Sequence, residues 1–354
     1  MSLFASLVPY GWNDRWAALF VTELDDGSIG DHAAFPGRVV RHDGVAVSLI
    51  TPDGPAQVPV RGTVDPRPVV GDWVVVSSGA VARTLARSSL LRRREAGRDA
   101  EQPLVANVDM VLAVCGLDRP VKPGRIHRAV TLAWDAGAVP VVVLAKADVR
   151  DPADAAAEAD SAAAAAPGTD VIVTSAITGE GLDRLCELAV DRTIVLIGES
   201  GAGKSSLANA LTGQSVAATA AVRSGDAKGR HTTTTRQMHL LPSGGVLVDT
   251  PGLRAVGLWA DTEAVDAAFD DVEALAAGCR FNDCKHAGEP GCAVTAAVDD
   301  GGLPRERLDA WVALSREAES AARRADERAR RAYERQFGRA AKEAVRRKRG
   351  RQPG

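Results

Sequence analysis

The 354-residue sequence predicts a multi-domain α/β protein: a small N-terminal β-barrel, a domain of parallel strands and crossover helices, and a C-terminal subdomain of helices. Three observations predict it. Residues 37–95 hold short alternating apolar runs separated by turn residues. Residues 104–262 alternate continuous apolar runs with helical patterns around a Gly-x-x-x-x-Gly-Lys-Ser stretch. Three cysteines and a histidine crowd into positions 279–292.

Composition bounds the class. An apolar share of 45% with 25% charged residues excludes wholesale disorder, and no run approaches the ~18 apolar residues of a membrane span. MSLFASLVPYGWNDRW has no basic flank before its short apolar stretch, which argues against a signal peptide; residues 1–36 are read as a separate N-terminal segment. Five unevenly placed cysteines make no disulfide scaffold and point to a reducing, cytoplasmic compartment with no membrane partner. The net charge of −3 hides an asymmetry. Residues 316–354 carry 14 Lys+Arg and 6 Asp+Glu, a balance of +8, leaving −11 on the rest. Such a basic tail suits a polyanionic partner or, equally, a solvated charged helix.

In GRVVRHDGVAVSLITPDG the turns Asp43-Gly44 and Asp53-Gly54 separate alternating strands, and VPVRGTV and VVGDWVVV continue the pattern. Several strands within about 60 residues suggest a closed barrel of the oligonucleotide/oligosaccharide-binding (OB) kind. ARSSLLRRREAGRDAEQPLVAN reads as a basic, polar connector. From Val108 the pattern changes: VDMVLAVCGL, PVVVLAKADV, DVIVTSA and TIVLIG are buried strands, separated by helical segments that include alanine-rich residues 151–167.

The strand TIVLIG leads into Gly198, Glu199, Ser200, Gly201, Ala202, Gly203, Lys204 and Ser205, and SSLANALTG follows as a helix starting at Ser205 and Ser206. Strand, glycine-rich turn and helix are the context a phosphate-binding loop requires. Glycines let backbone amides surround phosphates at a helix N-terminus, Lys204 reaches the outer phosphates, and the Ser205 hydroxyl ligates Mg²⁺. About 45 residues on, VLVDTPG ends a strand at Asp249, suited to hold Mg²⁺ through water, with the Gly252 amide placed to sense a terminal phosphate. Between them SGDAKGRHTTTTRQ reads as a switch segment in which Thr233 or Thr234 caps Mg²⁺; spacing does not choose between them.

Ala145-Lys146-Ala147-Asp148 follows PVVVL and matches Asn-Lys-x-Asp of guanine-nucleotide switches, with alanine in place of asparagine. There the carboxylate accepts from guanine N1 and N2 and the lysine stem covers the base. Thr174-Ser175-Ala176 matches the accompanying loop on the guanine oxygen. The base-reading motifs precede the phosphate loop, which precedes DTPG: a circular permutation of the usual order. Cys279, Cys284, His286 and Cys292 supply a closed set of three thiolates and an imidazole, the donors of a structural Zn²⁺. It would pin a small domain that lacks the apolar residues for a core, while Cys115 and Cys186 read as core residues. The tail from Leu308 is rich in helix formers.

Through the barrel, LVANVDMVL, the permuted motifs, RHTTT and the cysteine cluster, nearly the whole chain resembles the ribosome-small-subunit-dependent GTPase A family (RsgA/YjeQ type). The resemblance implies an N-terminal OB-fold over 37–95, a circularly permuted GTPase domain over 104–262 and a zinc-binding domain over 263–315; the basic tail 316–354 exceeds the compact family pattern. It implies GTP hydrolysis stimulated by the small ribosomal subunit during its late maturation, with that subunit, its rRNA and GTP/GDP as partners of a monomer. Ala145 departs from the family's asparagine; one lost hydrogen bond costs ~0.5–1.5 kcal/mol, a two- to tenfold weaker preference for guanine. That leaves room for a nucleotide hydrolase of relaxed base choice, and the basic tail for a nucleotide-regulated RNA-binding module. Leu253, after DTPG, cannot orient water, so intrinsic hydrolysis is expected to be slow. His231 matches the family's switch histidine, which orients water or, equally, contacts the ribosome.

Overall fold

The computed structural model describes residues 4–25, 34–42, 46–94, 101–216, 236–250, 262–320 and 322–323. The switch residues His231, Thr233 and Thr234, as well as Gly252 and Leu253, lie outside the described residues. The chain divides into two compact units, Met1–Trp259 and Ala260–Gly354.

Five strands form the barrel: β1 (Phe35–His42), β2 (Ala46–Thr51), β3 (Gly54–Pro59), β4 (Trp73–Ser77) and β5 (Ala80–Thr84). β1 pairs antiparallel with β2 and β4, β2 with β3, and β4 with β5. A parallel bridge from Val60 to Val81 closes the ring, giving the order 1-2-3-5-4 of an OB-type barrel. β4 explains its unbroken apolar run by being buried on both faces. Val74 and Val76 fill the barrel with Val39, Val47 and Leu49. Trp73 and Val75 point the other way, into an aromatic cluster.

That cluster comes from the N-terminal segment, which folds as a 3₁₀ turn (Ala5–Tyr10) and helix α1 (Asp14–Asp25). Asn13 caps α1, its side-chain oxygen accepting from the Arg15 and Trp16 amides. Leu7, Trp12, Trp16 and Phe20 close over Trp73, with the Trp12 and Trp73 rings 4.9 Å apart, edge to face. The expected connector is instead a hairpin of β6 (Leu90–Arg94) and β7 (Glu101–Ala106). Its inward residues Leu91, Leu104 and Val105 join the core beneath the next sheet, which is why basic residues on its other positions do not unfold it.

That sheet runs β8 (Met110–Gly116), α2 (Pro123–Asp135), β9 (Val139–Ala145), α3 (Pro152–Ala165), β10 (Asp170–Val173), α4 (Leu182–Ala189), β11 (Thr193–Gly198), α5 (Lys204–Thr212), β12 (Gln237–Leu240) and β13 (Val246–Asp249). The order in space is β10-β9-β8-β11-β13-β12, parallel except for β12. Alternate residues serve two cores: Val111, Val195 and Ile197 pack beneath α2, and Leu112, Ile194 and Leu196 beneath α4 and α5. Since the strands are parallel, the loops after β8, β9, β10, β11 and β13 all leave from one edge.

The barrel is fixed to this sheet by polar groups at its base. β1 pairs with β12 at Arg41 and Gln237. Arg38, 2% exposed, donates to the Thr193 hydroxyl (2.8 Å) and to the Tyr10 and Asn107 carbonyls, and its guanidinium lies over Trp73. Burial lowers its pKa to about 10, opposed by the charges of Asp109 and Asp72. Asn107 binds the Gly71 carbonyl and the Ser88 amide. Gly71 sits at φ +94°, and a Cβ there would come within 2.0 Å of the Ala106 carbonyl oxygen.

The second unit holds α6 (Thr262–Ala268), α7 (Asp270–Ala276), α8 (Ala293–Asp299) and a helix over 305–320. The expectation of a domain without its own core is corrected here. Val265, Phe269, Val272, Val294, Leu303, Leu308 and Leu314 form one, because residues on both sides of the cysteine cluster fold back as amphipathic helices. Arg307, 3% exposed, grips both carboxylate oxygens of Asp271 and lies over Phe269.

Two glycines separate steric closure from backbone conformation. Gly71→Ala is expected to cost about 3–5 kcal/mol, a left-handed alanine plus overpacking against Ala106. Gly54→Ala, at φ +111° with nothing within 4 Å, should cost only ~1–2 kcal/mol. Urea unfolding of both variants checks this; equal losses would contradict the close approach.

Candidate functional site

Three loops converge at the carboxyl edge of the sheet. The first joins β11 to α5. Gly198, Gly201 and Gly203 all have positive φ (+148°, +79° and +104°). At Gly198 a Cβ would lie 2.3 Å from the Val114 carbonyl oxygen of β8, so only glycine lets the loop leave the strand there. Gly203 caps α5 without a side-chain bond, leaving the amides of the first turn directed outward. The Lys204 ammonium donates to the Gly198 and Glu199 carbonyls at 2.9 and 2.6 Å, curled over the loop. Ala202 is buried, Gly203, Lys204 and Ser205 are half-buried, and Glu199, Ser200, Gly201 and Ser206 are exposed. The Glu199 carboxylate pairs with Arg125 at 2.9 Å.

The second loop follows β9. Ala145 is 4% exposed, and the Leu117 amide donates to its carbonyl. Lys146 takes a left-handed backbone at φ +67°, and Ala147 to Val149 form a 3₁₀ turn carrying exposed Asp148. The third loop follows β10 and holds the second in place. The Ala147 amide donates to the Thr174 carbonyl (3.0 Å), and the Ser175 hydroxyl donates to Asp148 Oδ1 at 2.5 Å. Ser175 is fully buried, and its hydroxyl oxygen accepts from the Ile177 and Thr178 amides. Its hydroxyl is thus committed to aiming Asp148, while Ala176 beside it is half-buried.

Phosphate and base loops lie side by side. A Cβ on Gly203 would lie 3.4 Å from Ala145 Cβ and 3.7 Å from Lys146 Cγ and Cε. Asp249 ends β13, which pairs with β11 in parallel register (Val195 with Val248), so its half-buried carboxylate emerges beside the phosphate loop. A cavity of about 620 Å³ borders that loop, lined by Cys115, Gly116, Arg119, Arg125, Gly198 and Glu199 among others. Burial pushes the Cys115 thiol up to about 11, so it offers no thiolate there. Cys115 and Cys186 are both half-buried rather than fully interior.

Sequence reading missed Asp118 and Arg119. The Lys146 ammonium donates to Asp118 Oδ2 at 2.9 Å, and Arg119 grips both oxygens of the same carboxylate. Arg119 foremost, then Lys146, holds the Asp118 carboxyl down at about 2. The available signal was positional: Gly116-Leu117-Asp118-Arg119 leaves the end of β8, the neighbour of the strand that carries the phosphate loop.

In the second unit, the donor atoms of Cys279, Cys284, His286 and Cys292 lie within 4.8 Å of one another. His286 Nδ1 is 3.3 Å from Cys292 Sγ and 3.6 Å from Cys279 Sγ, and those two sulfurs are 3.9 Å apart. Thiolates at ~2.3 Å from a tetrahedral ion stand about 3.8 Å apart, so the set fits a four-coordinate soft-donor metal site. Glu289 shapes the loop, accepting from the Lys285 and Ala287 amides at 3.0 and 2.7 Å. The Thr295 amide donates to Cys292 Sγ.

Comparison with known proteins agrees with this geometry. The RsgA GTPase family model matches residues 84–259. The small ribosomal subunit biogenesis GTPases RsgA of Streptomyces avermitilis and Streptomyces coelicolor are each 43% identical, the first over 96% of this chain and 95% of its own length, the second over 97% and 96%. YjeQ from Thermotoga maritima superposes with a TM-score of 0.62 at 26% identity, over 80% of this chain and 98% of that one. YloQ, a circularly permuted GTPase, shares the fold with a TM-score of 0.58 over 82% and 96%. On this identity across almost its full length, with the permuted motif order gathered at one sheet edge, the chain belongs to the RsgA family of small ribosomal subunit biogenesis GTPases.

Proposed function

We propose that the chain binds the small ribosomal subunit and hydrolyses GTP in that subunit's late maturation, with docking and release set by the bound nucleotide. One observation carries the reading: Gly203 of the phosphate loop packs on Ala145 and Lys146 of the base loop, whose Asp148 is aimed by buried Ser175. Guanine N1–H and N2–H donate to Asp148, and the Lys146 stem covers the base. The α5 N-terminus and Lys204 neutralise the phosphates. The Ser205 hydroxyl and Asp249 carboxylate are hard oxygen donors suited to Mg²⁺, which when bound offsets charge on the outer phosphates. Only residues 250–261 separate β13 from α6, a short path from nucleotide state to the second unit. The proposed division is barrel 37–95, GTPase domain 104–262, zinc domain 263–315 and basic tail 316–354, the tail on rRNA. A cytoplasmic monomer is part of the same reading; among the described residues no helix is long and apolar enough to cross a membrane.

The test is the initial rate of GTP hydrolysis with and without small ribosomal subunits, with ATP in parallel. A slow basal rate that rises with subunits for GTP alone is expected, and a rate indifferent to them would sink the coupling. Lys204→Ala should weaken GTP binding about 30- to 150-fold, as loss of a charge-assisted contact worth ~2–3 kcal/mol implies. Equal turnover of ATP would favour relaxed base choice, the reading that apolar, buried Ala145 supports.

We assign Zn²⁺ to the Cys279, Cys284, His286 and Cys292 set, where it would crosslink the loop between α7 and α8. Purified chain should release one zinc on thiol modification, detected with a metallochromic dye. Cys284→Ser should lower that yield and the thermal midpoint of the C-terminal unit together. Full-length protein that carries iron, or no metal, would contradict the assignment.

A further inference from the structure

Asp118 has no part in the motifs that mark this family's nucleotide site, yet Lys146 of the base loop and the neighbouring Arg119 both meet on it. Its carboxylate receives the Lys146 ammonium on one side and the Arg119 guanidinium on the other. Arg119 Nη2 reaches within 3.2 Å of where a Cβ on Gly201 of the phosphate loop would stand. A Cβ on Gly116 would lie 2.6 Å from Asp118 Oδ1 and 3.2 Å from the Ala202 carbonyl oxygen. Glycine at 116 is therefore what lets the Asp118 side chain turn back between β8 and the phosphate loop.

The loop after β10 holds the base loop at Ala147 and Asp148, and Asp118 holds it at Lys146. Ala145, at the position of an asparagine in related motifs, has no side-chain polar group to tie the loop to its neighbours, and only its carbonyl is bound, by the Leu117 amide. Lys146 itself is held at φ +67°, a conformation that a residue with a side chain keeps only when its surroundings enforce it. Its stem lies beside Gly203, with Cγ and Cε each 3.7 Å from where a Cβ on that glycine would stand. The only hydrogen-bond partner of the ammonium among the described contacts is Asp118.

We propose that Asp118 is a positioning residue for guanine-nucleotide binding: it anchors Lys146 so that the lysine stem stays between the phosphate loop and the base, the anchoring that Ala145 does not give. The proposal rests on the GTP reading above. Asp118 and Lys146 are each about a third exposed, so as a bare surface pair they would matter little to stability. What the pair fixes is the shape of a binding surface before ligand arrives, and that is read in affinity.

The experiment is titration of the full-length protein with a fluorescent GDP analogue, in wild type, Asp118→Ala, Asp118→Asn, Lys146→Met and the double variant Asp118→Ala/Lys146→Met. Asp118→Ala is expected to weaken binding about tenfold and to raise KM for GTP with kcat at saturation held. Asp118→Asn keeps an oxygen for Lys146 and should recover most of that loss, within about threefold of wild type. In the Lys146→Met background, Asp118→Ala should add less than about twofold. Wild-type affinity in Asp118→Ala, or an undiminished tenfold loss with Lys146 already removed, would overturn the proposal. Should Asp118→Ala not fold, the isosteric Asp118→Asn measured against Asp118→Ser decides on the same scale. A wild-type chain that fails to bind GDP would instead remove the nucleotide reading, leaving the two failures distinct.

Discussion

The parallel register of β10, β9, β8, β11 and β13 is the constraint from which the nucleotide site follows. Parallel strands deliver every following loop to one edge, whatever their order along the chain. Moving the phosphate loop from the beginning of the domain to its middle therefore leaves the site intact: Gly198 still emerges between Val114 of β8 and the end of β13. What the permutation changes is connectivity. Among the described residues the strand ending in Asp249 is the last of the sheet in chain order, and the second unit follows it in sequence.

The barrel is joined to this sheet through buried polar groups rather than a greasy interface alone. Arg38 sits at the junction of three pieces, binding the N-terminal turn at Tyr10, the approach to β8 at Asn107 and the start of β11 at Thr193. Thr193 is the first residue of the strand whose other end is the phosphate loop, and Asp109 binds its amide. Asp72 beside it is fully buried, its carboxyl pushed up by burial and held against that by the Arg87 fork. Arg38 finds these partners only when barrel and sheet are both in place, whereas Asp72 is held within the barrel segment by Arg87 and the Val69 amide. Specificity of assembly is what such a network secures, since removing one partner strands a charge in the interior.

Much of this was legible in residues. The phosphate loop, base loop, Asp249 and metal ligands are all marked by short motifs whose spacing follows from local geometry, and continuous apolar runs identified the parallel strands. Other parts depended on distant partners. Nothing local in LVPYGWNDRWAALF says that Trp12 and Trp16 will close on Trp73, although Asn13 before a Trp16–Phe20 spacing is a helix start. The hairpin β6–β7 was hidden because its charged residues dominate the composition while Leu91 and Val105 do the packing. The C-terminal core escaped because its residues come from both sides of the cysteine cluster. At the site, the Ser175 hydroxyl donates to Asp148 (2.5 Å), a contact made by the fold of the turn that residue type alone does not announce.

The central claim is that Asp148, aimed by Ser175, reads guanine without an asparagine at 145. It is tested most directly by reversing the hydrogen bonds. Asp148→Asn replaces an acceptor with an amide that can donate to the 2-oxygen of xanthine but repels the guanine N2–H. Binding constants for GDP and xanthosine diphosphate, measured side by side in wild type and Asp148→Asn, should exchange rank. Each preference should shift by about tenfold or more, as an unpaired buried donor implies. Unchanged GDP binding in Asp148→Asn, with no gain for xanthosine diphosphate, would show that the base is read elsewhere.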